Sequence, residues 1–311
     1  MATLRVGTRG SRLALAQTQL VLDRLCVLHP QHEFRVERIA TKGDVLSDAP
    51  LASIGRGVFV DAIEEALRGR RIDFAVHSAK DLPSQLDSDF ELGAFLERAD
   101  PRDALISHGV LLHDLPSGAR VGTSSARRAC QIRARRPDLE PVPMRGNVET
   151  RVRKLEAGDY DAVVLAVAGL ARLSLETLVT EYFEPVDMIP CPGQGALALE
   201  IRAHDVEIAR LVAPLAHAAT TAAVVAERAF LARLGAWCTA PVGAHACCAP
   251  NDVVVLDAFV GAFDGRMVRG TRSGSSVRPQ AVGAELADEL LAAGGDAMLL
   301  EAAQIAGPAH A

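Results

Sequence analysis

The chain has 311 residues, 49% of them hydrophobic and 4% aromatic, with a formal charge of −6. That length predicts two or three domains, and that composition a core of Ala, Val and Leu. No apolar run reaches the ~20 residues that cross a bilayer, the first residues lack the apolar core of a signal peptide, and the six cysteines show no zinc spacing. A cytoplasmic protein with no disulfide framework, metal or membrane partner is expected.

Residues 4–8 read as a strand. Arg9-Gly10-Ser11 leads into a helix over Arg12–Leu28, with apolar Leu13, Leu15, Leu20, Val21 and Leu25 and with Pro30 just beyond its end. A strand follows at 34–40. The polar, glycine-punctuated stretch 41–57 has the length and composition of a mobile loop. Residues 59–67 form a helix closed by Gly69. The next strand carries Phe74-Ala75-Val76 and ends in His77, Ser78, Lys80 and Asp81. Leu82-Pro83 stops it, because the residue before a proline is pushed out of helical geometry. Ligands of an open α/β sheet bind where strands end, so Asp81 beside Lys80 is a candidate acid/base. On those residues alone, a structural ion pair is the commoner arrangement. His77 reads as a hydrogen-bonding residue at the strand end.

An internal repeat comes next. Arg5-Val6-Gly7-Thr8-Arg9-Gly10-Ser11-Arg12 is similar to Arg120-Val121-Gly122-Thr123-Ser124-Ser125-Ala126-Arg127. In each copy a strand meets small hydroxyl residues, then an arginine-bearing helix ended by Pro30 or Pro137. The hydroxyls can cap the helix, and its free N–H groups make an anion site. Two copies imply two similar α/β domains facing one cleft. Residues 120–154 hold ten Lys or Arg against three acids, a net +7 on an acidic chain. A local patch of this kind fits a small polyanion in a cleft and not a nucleic-acid backbone. Some of these arginines belong to solvated helix faces.

Residues 141–144 read as a strand, 148–157 as a helix capped by Asn147 and stopped by Gly158, and 161–168 as a buried strand, with Arg172 on the turn or helix after it. The stretch 187–195 is a turn-rich crossing back to the first domain, followed by a strand at 196–201. From about residue 213 the character changes. A helix spans 220–234, residues 253–263 and 267–273 form a hairpin around Asp264-Gly265, a last helix spans 281–293, and 307–311 is a frayed tail. The expected division is 1–96 with 196–213, then 97–195, then a small α+β domain at 214–311.

Several motifs in order resemble the porphobilinogen deaminase family over nearly the whole chain. They are Arg9-Gly10-Ser11, Thr41-Lys42-Gly43-Asp44, His77 to Pro83, Asp100-Pro101-Arg102-Asp103-Ala104, Gly122 to Ser125 with Arg127-Arg128, Arg145-Gly146-Asn147-Val148 with Arg151, Ala166 to Leu170, and Gly193-Gln194-Gly195-Ala196. The resemblance implies two periplasmic-binding-protein-like (type II) α/β domains around a cleft, plus the small C-terminal domain. It implies a dipyrromethane cofactor held by a thioether to Cys238, and a transferase that joins four porphobilinogen units and releases hydroxymethylbilane by hydrolysis. Asp81 is then the acid/base. Arg9, Ser11, Lys80, Thr123, Ser124, Ser125, Arg127, Arg128, Arg145, Gly146, Arg151 and Arg172 bind cofactor and substrate carboxylates, and Arg56 and Phe59 belong to the loop. Arginine suits such carboxylates because its planar fork donates two parallel hydrogen bonds.

The chain departs from the family pattern at Ala236-Trp237, where two glycines are usual before the cysteine, and at Arg56, where a lysine is usual. Two rival readings are a non-catalytic two-domain binding protein for a small polycarboxylate and a thiol-based transferase, though no histidine partner for Cys238 is evident. A monomer is expected.

Overall fold

In the computed structural model the described residues are 2–41, 60–236 and 240–306. β1 (Thr3–Arg9) runs into α1 (Arg12–Leu28), whose cap Ser11 accepts the Ala14 N–H at 3.2 Å. Then come β2 (Glu33–Ile39), α2 (Asp61–Arg68), β3 (Phe74–Ser78) and β4 (Phe90–Phe95). Next are β5 (Asp103–Ile106), β6 (Arg120–Gly122), α3 (Ala126–Arg135), β7 (Glu140–Val142), α4 (Val148–Glu156), β8 (Ala162–Ala166), α5 (Val167–Ala171) and β9 (Glu181–Phe183). The chain continues through β10 (Leu197–Arg202), α6 (Val206–Val212), α7 (Ala218–Leu234), β11 (Val242–Ala249), β12 (Val253–Gly261), β13 (Met267–Ser275), α8 (Pro279–Leu290) and α9 (Asp296–Ala306).

The repeat seen in sequence is a repeat of topology. The first sheet has the order β2-β1-β3-β10-β4 and the second β7-β6-β8-β5-β9. In each, three parallel strands are followed by one antiparallel strand from a distant part of the chain, β10 in the first and β5 in the second. The chain therefore crosses between the sheets twice, after β4 and after β9. This is a pair of type II binding-protein-like α/β domains. A three-stranded antiparallel sheet, β11-β12-β13, with α7, α8 and α9 makes the small α+β unit. No single described helix is long and apolar enough to cross a membrane.

Burial follows the strand period. Val6, Phe74, Val76 and Leu199 pack on Val21, Leu22 and Leu25 of α1. Leu105, Val121 and Val164 pack on Ile132 of α3, while Val163 and Leu165 meet Val152 and Leu155 of α4 on the opposite face. Phe230, Leu286 and Leu290 close the third core. Each sheet is thus buried on the faces its helices cover, which leaves the strand ends for chemistry.

The structure differs from the expected elements in three places. β8 stops at Ala166 because its partner β5 begins at Asp103, so Val167 and Ala168 turn into α5. The last helix breaks at Gly294, with φ of +104°, and α9 follows it. The strands β4, β5, β9 and β11 and the helix α6 carried no recognised pattern.

Candidate active site

The site is built from the first lobe outward. β3 delivers its end into a 3-10 turn over Ala79–Asp81. The Ala79 N–H donates to Ala196 O at 3.0 Å, and Gln17 of α1 donates to Ser78 Oγ at 2.8 Å. Gly193 has φ of +74° and lies so close that a Cβ would sit 3.0 Å from Ala79 C and Lys80 N. Only glycine meets both demands. Asp81 stands exposed at the tip and Lys80 is half-buried, its Nζ donating to Gln194 Oε1 at 3.3 Å. Burial pushes the Lys80 ammonium below its ordinary range; the Asp81 carboxylate opposes that shift and the Arg128 cation adds to it.

The second lobe meets this turn with the start of α3. Ser125 caps α3, accepting the Arg128 N–H at 3.4 Å, and Ser124 Oγ donates to Met144 O at 2.7 Å. Thr123 is buried and accepts from Ser125 N at 3.2 Å. Arg127 and Arg128 turn inward: both are buried, and both reach the carboxylate of Asp103, which is 0% exposed. Arg128 Nη2 lies 2.7 Å from Asp103 Oδ1, while Arg127 Nη1 donates to Ile189 O at 2.7 Å. Gln194 completes the link between lobes, its Nε2 donating to Asp103 Oδ1 at 3.0 Å while its Oε1 takes Lys80. Cys191 is half-buried in the same charge field, with Arg127, Lys80, Asp81 and Asp103 around it, and burial pushes its thiol up.

Further cations line the second lobe. Gly146, with φ of +110°, presents its carbonyl to Arg151 Nε at 2.9 Å. Burial and the neighbouring Arg128 and Arg145 cations lower Arg151 to about 10. Arg172 donates Nη2 to Gly195 O at 2.7 Å and is lowered by burial to about 10. Half-buried cations that repel one another mark a place that gains from bound carboxylates. On the other lobe, Arg9 ends β1 and Ser11 caps α1. Arg12 of α1 lies 3.6 Å from Glu149 of α4, so the two helix starts face each other across the lobes.

The third unit is tied to the crossing segments. Glu227 of α7 accepts Arg98 Nη1 at 2.6 Å, Gly193 N at 2.6 Å and Ala246 N at 2.7 Å. Ala244 N of β11 donates to Pro190 O at 3.0 Å, beside Cys191. α7 ends at Gly235, in the left-handed conformation. Cys238 and its neighbour Trp237, and the loop residues Arg56 and Phe59, lie outside the described residues.

The structure thus gathers Lys80, Asp81, Arg127 and Arg128 around one point and places Arg151 near both Arg128 and Arg145. Sequence reasoning named Asp103 and Gln194 only within motifs, without a role, and passed over Glu227. Their signal was present, since Asp103 is an acid opening the apolar run Ala104-Leu105-Ile106, and Glu227 is an acid in an Ala-rich helix. The donor set, mostly arginines with hydroxyls and a lysine, matches a ligand carrying several carboxylates.

The chain is similar to proteins of one family along most of its length. Residues 4–210 match a family described as porphobilinogen deaminase, dipyromethane cofactor binding domain. Residues 221–292 match one described as porphobilinogen deaminase, C-terminal domain. The porphobilinogen deaminase of Roseiflexus castenholzii is 56% identical over 299 residues, 96% of this chain and 98% of that one. That of Shouchella clausii is 47% identical over 302 residues, 96% and 97% of the two chains. Among solved structures, the periplasmic aliphatic sulphonate binding protein of Escherichia coli is similar at a TM-score of 0.40 and 14% identity, over 74% of this chain and 70% of that one.

Proposed function

This chain belongs to the porphobilinogen deaminase family, and we propose that it joins four porphobilinogen units head to tail with loss of ammonia, then releases hydroxymethylbilane by hydrolysis. The observation that carries this reading is the meeting of an exposed acid, Asp81, with a field of half-buried cations contributed by both lobes. A binding protein for a polycarboxylate would need the cations; Asp81 would have no task in it.

Asp81 gives its proton to the departing amine of porphobilinogen. Its carboxylate then faces the pyrrole N–H of the cation left behind and stabilises it. It takes back the proton lost when the new carbon–carbon bond rearomatises. Lys80, Arg9, Arg145, Arg151 and Arg172 hold the acetate and propionate groups, with Ser11, Thr123, Ser124 and Ser125 and the Gly146 backbone adding donors. Arg127 and Arg128, fixed on Asp103, contribute charge and their remaining N–H groups. The dipyrromethane group, bonded by a thioether to Cys238, supplies the pyrrole carbon on which assembly starts. Arg56 and Phe59 keep the loop role that the family resemblance implies for them. The domains divide as 1–96 with 196–213, 97–195 and 214–311, and the protein is a cytoplasmic monomer, an enzyme of the hydroxymethylbilane synthase class.

Incubation with porphobilinogen tests the proposal. Four ammonia molecules per hydroxymethylbilane are expected. Porphobilinogen bound and returned unchanged, with no ammonia, identifies the binding protein instead.

A further inference from the structure

The Lys80–Asp81 turn is flanked on both sides by polar side chains, from β3 and β10 on one side and from α7 on the other. On its N-terminal side stands His77 of β3, 6% exposed, with Nε2 2.9 Å from Oε2 of Glu200, which is 0% exposed. The register explains the meeting. β10 pairs antiparallel with β3, His77 opposite Ala198, so Glu200 two residues on shares its face. On the C-terminal side stands Arg228 of α7. Its Nη2 donates to Pro83 O at 2.7 Å and to Ser84 O at 3.2 Å. Burial lowers the Arg228 guanidinium's proton affinity, and the Glu200 carboxylate opposes that shift. Glu200 also acts on Glu64 of α2, which burial first and that charge second raise to about 7.

We infer that His77, Glu200 and Arg228 form a positioning device that fixes the Asp81 turn from both sides. The inference rests on the role given to Asp81 above. Arg228 lies on the helix that ends four residues before Cys238, so the same side chain ties the turn to the unit carrying the attachment cysteine. An apolar trio would join helix to sheet as firmly, because replacing buried charges with well-packed apolar groups is often neutral or stabilising. What an apolar trio lacks is a grip on the Pro83 and Ser84 carbonyls, two and three residues beyond Asp81.

Arg228→Lys keeps the charge and loses the fork; Glu200→Gln and His77→Gln remove the other arm. Each variant is measured for melting temperature, bound pyrrole, kcat, KM and amide hydrogen exchange of the peptide spanning 78–86, with Asp81→Ala in parallel. Misplacing a reacting group by about 1 Å costs up to ~10²-fold. We expect kcat in Arg228→Lys to fall roughly tenfold, with KM and bound pyrrole within about twofold and faster exchange in that peptide. If the Glu200 or His77 variant fails to fold, Arg228→Lys decides. Normal kcat in folded Arg228→Lys, whatever its melting temperature, overturns the inference alone, provided Asp81→Ala is inactive. Retained turnover in Asp81→Ala overturns the reading of Asp81 and this inference with it.

Discussion

Arg127 Nη2 lies 2.7 Å from Asp103 Oδ2, with both side chains buried where the second lobe meets the Lys80 turn. Arg128 takes the other oxygen at the same distance. Burial alone would push the Asp103 carboxyl up, but the two guanidiniums hold it well below the usual carboxylate range. Such a group contributes stability above its unfolded pKa and loses it as pH falls. Asp103→Asn should cost about 3–5 kcal/mol at pH 7, as for other broken buried pairs, and the gap to the parent should narrow progressively as pH falls from about 4 toward about 2. Urea unfolding at these pH values measures it. A pH-independent gap would show that the pair is not what stabilises this junction.

Asp81→Ala should lower turnover by at least ~10²–10⁴-fold, the usual contribution of an acid/base. Loss of the carboxylate beside the cationic intermediate should add to that. Asp81 is exposed, so melting temperature and bound pyrrole should match the parent. Near-normal turnover would remove Asp81 from the chemistry.

The arginines should fail at different stages. Arg127 and Arg128 are built into the Asp103 junction, so their replacement should impair stability and cofactor assembly together. Arg9 ends β1, just before α1, and should affect the primer or first unit. Arg172, held on Gly195 O, should permit early additions and stall later ones. Intact mass after brief exposure to porphobilinogen separates the stages; one common stall for all four variants would contradict the ordering.

Gly195 has φ of +88°, and a Cβ there would lie 2.4 Å from Ala99 O. Both crossings between lobes pass this contact. Gly195→Ala should therefore cost at least ~1–3 kcal/mol from backbone strain alone, while Gly10→Ala, with no heavy atom within 4 Å, should stay within about 1 kcal/mol. Equal melting temperatures for the two variants would show that the crossing relaxes freely.

Much of the fold was legible because its signals are local. The α1 boundaries, the Asn147 cap and the hairpin at Asp264-Gly265 follow from caps, prolines and turn residues within a few positions. The paired strand–helix starts at Arg9 and Thr123 revealed the twofold topology before any sheet was seen. What stayed hidden depends on distant partners. β5 is four residues long, and its place between β8 and β9 is fixed by residues some 60–80 positions away. Arg127 and Arg128 looked like free anion binders because nothing near them in sequence indicates that Asp103 takes both. The pairing of His77 with Glu200 likewise requires the register of β3 against β10.

In the proposed function a pyrrole primer on Cys238 is extended under the control of Asp81. Intact mass of the purified protein before and after substoichiometric porphobilinogen tests it most directly. The parent should carry the mass of two pyrrole units and gain further units stepwise. Cys238→Ser should carry none, and Asp81→Ala should keep the primer and gain no further units. A parent of unmodified mass that gains nothing, or a primer that persists in Cys238→Ser, would contradict the account.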